Sequence, residues 1–212
     1  MADSISPDMF EQLAWTKNLG IGPNICHSFF DWYSSQSMLD ALDWLASYIA
    51  KNGPYDGIIS FSQTTCLAST FLLHHQQLYP DLADPVFRCA IFFQGILPLD
   101  VGLLQRGRRR QVGVVSEQDA KYCDDASSSE EEDDDSADEF QPLHIPTTHV
   151  WGTNDTFPLA QGEQVSKLFT KQLRINITHQ EGHAIPGARN MDGVRKIVRA
   201  IRKTVERADM MH

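Results

Sequence analysis

Long apolar runs are missing from this chain of 212 residues, and no uninterrupted stretch approaches the ~18 residues that a membrane-spanning helix needs. The opening residues, MADSISPDMFEQLAW, are acidic and lack a basic start followed by an apolar segment. No secretory leader is read there, and a cytoplasmic protein is expected. Cysteine is scarce. The four present (Cys26, Cys66, Cys89 and Cys123) show no C-x-x-C spacing, which argues for reduced thiols rather than a disulfide framework or a zinc site. Nor is there a basic, aromatic-interleaved face of the kind that binds nucleic acid. Neither a membrane nor a nucleic acid is therefore an expected partner.

What is present suits a single domain covering 1–212, with 42% hydrophobic and 22% charged residues. The net charge of -10 is unevenly spread. Residues 117–139 hold 12 acidic residues and one lysine, so the rest of the chain is close to neutral. This run belongs to a charged segment, 106–140, that passes from the basic cluster RGRRR to SSSEEEDDDSADE. Like-charge repulsion and a shortage of apolar side chains predict a disordered insertion in a loop. The serines Ser127, Ser128 and Ser129 directly before six carboxylates suit an acid-directed kinase, and the segment is a candidate surface for a protein partner.

Elsewhere strand and helix patterns alternate. Strands are expected at 58–61, 86–93, 148–150 and 173–178, and helices at 63–75, 160–171 and 191–207. A helix led by Ser6-Pro7 and stopped at Gly20 is expected near the start. Another is expected to open on a capping box, Ser37-x-x-Asp40, and to end at Gly53-Pro54. In the helix from 191, Val194, Ile197, Val198, Ile201 and Val205 are expected to form the buried stripe. Continuous apolar runs such as CAIFF suit a strand covered on both faces. The fold class is α/β, a mostly parallel sheet with helices on both faces.

Three residues stand where chemistry can be done. Ser62 ends the apolar run GIISF and opens a helix, at the sheet edge where α/β proteins bind ligands. The helix N-terminus supplies the backbone N–H of Gln63 as a donor for an oxyanion. Asp155, in GTND, follows the strand THVW, and His183, in EGHAIPG, follows LRINITH. The order Ser…Asp…His is that of α/β-hydrolases, in which the histidine deprotonates the serine and the aspartate fixes the imidazole. Each has a plainer reading. Asp155 can be turn chemistry after Gly152, and His183 a loop histidine between glycines. His179 is the competing base. His144 and His149 read as structural, His74 and His75 as the end of a helix, and Cys66 as a small core residue.

At these motifs the chain resembles a known family. GPYDGIISFSQ is similar to the GPFDGVIGFSQG signature of the fungal serine hydrolases, a branch of the α/β-hydrolases. FRCAIFFQGILP, IPTTHVWGTND and EGHAIPG resemble that family's following segments, so the likeness runs from Phe29 to the C-terminus apart from the acidic insertion. It implies Ser62 as nucleophile, Asp155 as acid and His183 as base. It also implies a small-molecule carboxylic ester or acyl thioester as substrate, including release of polyketide chains in fungal secondary metabolism. No metal or organic cofactor is implied.

Two departures set further expectations. Ser60 and Thr64 replace the glycines usual two residues either side of the serine; Ser60 is expected to be tolerated, and the β-branched Thr64 to tilt the helix or shift Ser62. No strand ending in LHG precedes Ser62, so the chain reads as an N-terminally truncated member of the fold without the loop that gives the second oxyanion amide. A truncated gene model, a divergent non-catalytic homologue and a partner chain completing an exposed sheet edge are the readings of that departure. The alternative function is a pseudo-hydrolase that binds an acyl compound or a protein and turns nothing over.

Overall fold

The computed structural model describes residues 28–80, 84–113, 141–157 and 159–211. The helix expected between Ser6 and Gly20, Cys26, Cys123 and the acidic run 117–139 lie outside the described residues.

Helix α1 (Ser35–Asn52) is capped three residues ahead of Ser37, the cap expected from the sequence. Its N-cap is Ser34, in extended backbone, whose hydroxyl accepts from the N–H of Ser37 at 3.1 Å. The Ser37 hydroxyl is turned outward and accepts from the N–H of Asp31 at 2.9 Å. Gly53 closes the helix, as the Gly-Pro pair implied. There follow β1 (Gly57–Phe61), α2 (Gln63–Leu78), β2 (Cys89–Phe93) and a short α3 (Val101–Leu104). The chain continues through β3 (Thr147–Gly152), α4 (Gly162–Lys167), β4 (Arg174–His179) and α5 (Met191–Met211).

The four strands form one parallel sheet in the order β1-β2-β3-β4. All five residues of CAIFF are buried. Ala90 and Phe92 pack with side chains of α1, α2, α3 and α4, while Ile91 and Phe93 face Ile197 of α5. A strand clad on both faces must be apolar at every position, and the uninterrupted run meets that need. Burying each large side chain of this strand contributes roughly 1.5–3 kcal/mol.

Helix α5 lies on the sheet by a face turned partly away from the expected stripe, of which Ile197 is buried and Ile201 packs beside it. Ile197, Ala200, Thr204 and Ala208 are buried, whereas Val198 and Val205 are exposed. Small residues at 200, 204 and 208 let the helix backbone approach closely, and the Thr204 hydroxyl meets that of Thr148 on β3 at 2.7 Å. Small side chains thus share the packed face with Ile197 and Ile201 and leave Val198 and Val205 outside it.

The start of the charged segment is tied to the body. Residues 106–113 return along the loop after β2, with Val112 N–H donating to the Pro98 carbonyl at 2.8 Å and Asp100 N–H to the Arg110 carbonyl at 2.9 Å. The buried side-chain amides of Gln111 and Gln161 exchange hydrogen bonds at 2.9 and 2.8 Å. Arg110 reaches Asp100 at 3.6 Å, and the Arg109 guanidinium donates to the Trp32 carbonyl.

Among the described residues β1 pairs with β2 alone, and Ile59 on it is 69% exposed. An edge strand leaves backbone donors and acceptors open on its free side. No helix among the described residues is long and apolar enough to cross a membrane.

Candidate active site

A parallel sheet delivers the ends of its strands to one rim, and the three residues singled out by the sequence meet there. Ser62 follows β1 with φ 53° and ψ -121°, a conformation that L-residues rarely adopt. The sharp turn lifts its hydroxyl out of the sheet at the N-terminus of α2. Its N–H donates to the Phe93 carbonyl at 2.9 Å, and its carbonyl accepts from the Thr65 hydroxyl at 2.7 Å. That same hydroxyl accepts from the N–H of Ile96 at 2.7 Å, binding the elbow to the exit of β2.

Thr64 acts contrary to expectation. Its hydroxyl accepts from the Phe61 N–H and donates to the Phe61 carbonyl, both at 2.9 Å. Since Ser62 N–H points toward β2, the Phe61 groups face the open side of β1, and Thr64 satisfies both. The extra bulk braces the elbow rather than displacing Ser62. Ser60, by contrast, is buried with its hydroxyl unpartnered among the described groups.

His183 lies in the loop after β4 and Asp155 in the loop after β3. His183 Nε2 is 2.8 Å from Ser62 Oγ, and its Nδ1 is 2.7 Å from Asp155 Oδ2. Both side chains are nearly enclosed, 7% and 3% exposed respectively. The other carboxylate oxygen of Asp155 accepts from the N–H of Phe157 at 2.9 Å, which fixes its orientation. An acceptor at Nδ1 keeps the neutral ring's proton there and leaves the Nε2 lone pair facing the serine hydroxyl. The rings of Phe157 and Phe61 stand 4.5 and 5.5 Å from the imidazole and screen it from water.

The loops carrying Asp155 and His183 touch at glycines. A Cβ on Gly152 would lie 2.3 Å from the Gly182 carbonyl oxygen, so no side chain fits where the two loops cross. Gly182 has φ +62°, a conformation suited to glycine directly before His183. Asn154 Oδ1 accepts from the Gly182 N–H at 3.0 Å.

The competing histidines are elsewhere engaged. His179 Nδ1 accepts from the Glu181 N–H at 3.1 Å, and its ring lies against Gln94, not Ser62. His149 is buried between Phe92 and Phe169, with Nε2 on the Thr147 hydroxyl at 2.9 Å and Nδ1 unpartnered among the described groups. His144 meets the Thr170 hydroxyl, and His75 packs at a tilt against Phe71 and Tyr79. Cys66 is fully buried in the core. Gln63 has its side chain clamped by the Phe29 N–H at 3.1 Å and the Phe30 carbonyl at 2.8 Å, so the start of α2 is held on both sides.

The family model described as Serine hydrolase (FSH1) matches residues 9–193. The chain belongs to this serine hydrolase family. The match begins ahead of Phe29, where the likeness read from the motifs starts. Esterase FPY3 of Fusarium mangiferae is 28% identical over 192 residues, 89% of this chain and 74% of the relative. Hydrolase FUB4 of Gibberella moniliformis is 28% identical over 200 residues, covering 80% and 74% of the two chains. Esterase OVCA2 of Homo sapiens is 25% identical over 150 residues, 70% of this chain and 51% of that one. For a member of the serine hydrolase family, the sequence reasoning missed the bracing role of Thr64, the Phe157 screen and Gln94. A polar residue ending the otherwise apolar run CAIFF was the signal available for Gln94.

Proposed function

We propose that this protein hydrolyses carboxylic esters or acyl thioesters through an acyl-Ser62 intermediate. The observation that carries the reading is the unbroken relay from Ser62 Oγ to His183 Nε2 and from His183 Nδ1 to Asp155. His183 takes the hydroxyl proton as Ser62 Oγ attacks the acyl carbon, and Asp155 stabilises the resulting imidazolium. The carbonyl oxygen gains charge and is met by the Gln63 N–H at the positive end of α2. His183 then protonates the departing alcohol or thiol. Water, deprotonated by His183, attacks the acyl-serine and releases the carboxylic acid, restoring Ser62.

The esterase name of the Fusarium mangiferae relative supports an ester substrate, and a place in fungal secondary metabolism, where acyl chains are released from biosynthetic enzymes, is part of this proposal. The charged segment 106–140 supplies a surface for a protein partner in this reading, its basic start fixed to the body by Gln111. A chain-length series of p-nitrophenyl esters tests the reaction. Turnover is expected, with an acyl group on Ser62 in acid-quenched samples. A folded protein that hydrolyses none of the series would favour a binding role instead.

A further inference from the structure

We propose that Gln94 is a positioning residue that clasps the loop bearing His183 to the loop bearing Asp155. The inference rests on the catalytic reading of those two residues and extends it to a side chain that touches neither substrate nor reacting atoms.

Gln94 directly follows β2, the strand between the one that delivers Ser62 and the one that leads to Asp155. It is 1% exposed and has φ 52°. With Ser62 it is one of two non-glycine residues at positive φ among the described residues. Such a backbone is unfavourable for a residue with a Cβ, and it persists where surrounding contacts over-determine it. Those contacts are specific here. The Gln94 N–H donates to the Val150 carbonyl at 2.8 Å, anchoring the turn to β3. Its Nε2 donates to the carbonyls of Gly182 at 3.0 Å and Ala184 at 2.7 Å, the residues on either side of His183. Its Oε1 accepts from the N–H of Gly152 at 3.1 Å, where β3 ends and the Asp155 loop begins.

This distribution fixes the amide's orientation. Two donors meet two carbonyl oxygens and one acceptor meets an N–H, so a flipped amide would oppose like groups at each contact. His179 Nε2 lies farther away, at 3.3 Å, as the remaining wall of the pocket. The side chain therefore holds His183 by the backbone on both sides and ties that backbone to the end of β3. Gly152 and Gly182 are already in van der Waals contact, and their contact alone sets a distance, not a direction. Gln94 sets the direction. The imidazole must hold two hydrogen bonds at once, and a shift of about 1 Å at a reacting group can cost about 100-fold in rate.

Two near-isosteric variants separate positioning from packing. Gln94→Met keeps the volume and removes every side-chain hydrogen bond. Gln94→Glu keeps an acceptor for Gly152 and removes the paired donors. For both, kcat on p-nitrophenyl acetate is expected to fall about 10- to 100-fold, with KM nearly unchanged. Long-range ¹⁵N–¹H spectra of the His183 ring should change from the Nδ1–H tautomer to a mixture. A lower Tm with kcat and the His183 tautomer unchanged would overturn the proposal, because it would leave Gln94 a structural residue only. The spectra do not depend on turnover. A wild type that hydrolyses no ester but loses its fixed tautomer on Gln94→Met would contradict the hydrolase reading while upholding the clasp. Normal wild-type turnover with unaffected variants would do the reverse. If Gln94→Met fails to fold, Gln94→Glu carries the same two readouts.

Discussion

His183→Ala is expected to lower kcat by about 10⁴–10⁶-fold, and Ser62→Ala by a similar factor, with the double variant no slower than either single one. The non-additivity follows from the relay. Once His183 is gone, the Ser62 hydroxyl keeps its proton and is a poor nucleophile, so removing the hydroxyl as well takes nothing further away. Asp155→Asn should be somewhat milder, at about 10⁴-fold, because an amide donor in place of Oδ2 would favour the wrong imidazole tautomer and turn the Nε2 lone pair away from its task. The enclosure of both side chains makes this stricter, since water cannot easily substitute at a carboxylate 3% exposed. Steady-state kinetics of the three single variants and the Ser62→Ala/His183→Ala pair check the expectation. Independent, multiplying losses would show that the residues do not act as a unit.

The second large effect concerns stability in acid. His149 lies in β3, wholly buried beside Phe92 and Phe169, and desolvation, aided by the Arg174 charge, lowers its pKa from 6.5 to about 3. The unfolded chain binds a proton at this residue near pH 6.5, and the folded chain only near pH 3. Between those values the unfolded state holds more protons, so stability is full above about pH 6.5 and is lost as the pH falls toward 3. At pH 4 the loss amounts to about 3 kcal/mol on the order-of-magnitude scale of 1.36 kcal/mol per pKa unit. His149→Phe removes the titration and keeps the ring stack. It also strands the Thr147 hydroxyl that faces Nε2 at 2.9 Å, a cost that does not vary with pH. The expected result is therefore a shallower fall in unfolding free energy between pH 7 and pH 4, whatever the variant's absolute stability. Parallel curves for the two proteins would mean that His149 is not the residue lost to acid.

Much of this arrangement could be read from residue order. Ser62, Asp155 and His183 each stand just past an apolar strand, and a parallel sheet necessarily brings such positions to one rim. The fully apolar run CAIFF marked the central, doubly covered strand for the same reason. What escaped depended on where particular side chains turn. Ser37 and Ser34 are both good N-caps by type, and the choice between them was made by Asp31, whose N–H takes the Ser37 hydroxyl. The β-branched residues of α5 promised a buried face, but small residues one turn apart share that face with Ile197 and Ile201 and leave Val198 and Val205 outside it. Thr64 looked like an obstacle because its size is visible in sequence and its hydrogen bonds to Phe61 are not. His149 was read as a satisfied structural histidine; it is structural, with one ring nitrogen left unpartnered among the described groups. Gln94 needed the positions of four separate backbone groups before its place became visible.

The central claim is that Ser62 works as a nucleophile activated by His183. Mass spectrometry after treatment with a fluorophosphonate, which forms a stable bond only with an activated serine, tests it most directly. The account predicts a single adduct on the peptide bearing Ser62 in the wild type. It predicts none in Ser62→Ala, and labelling slowed by about 10³-fold or more in His183→Ala. Folded wild-type protein that stays unlabelled at Ser62, or that labels equally well without His183, would contradict it.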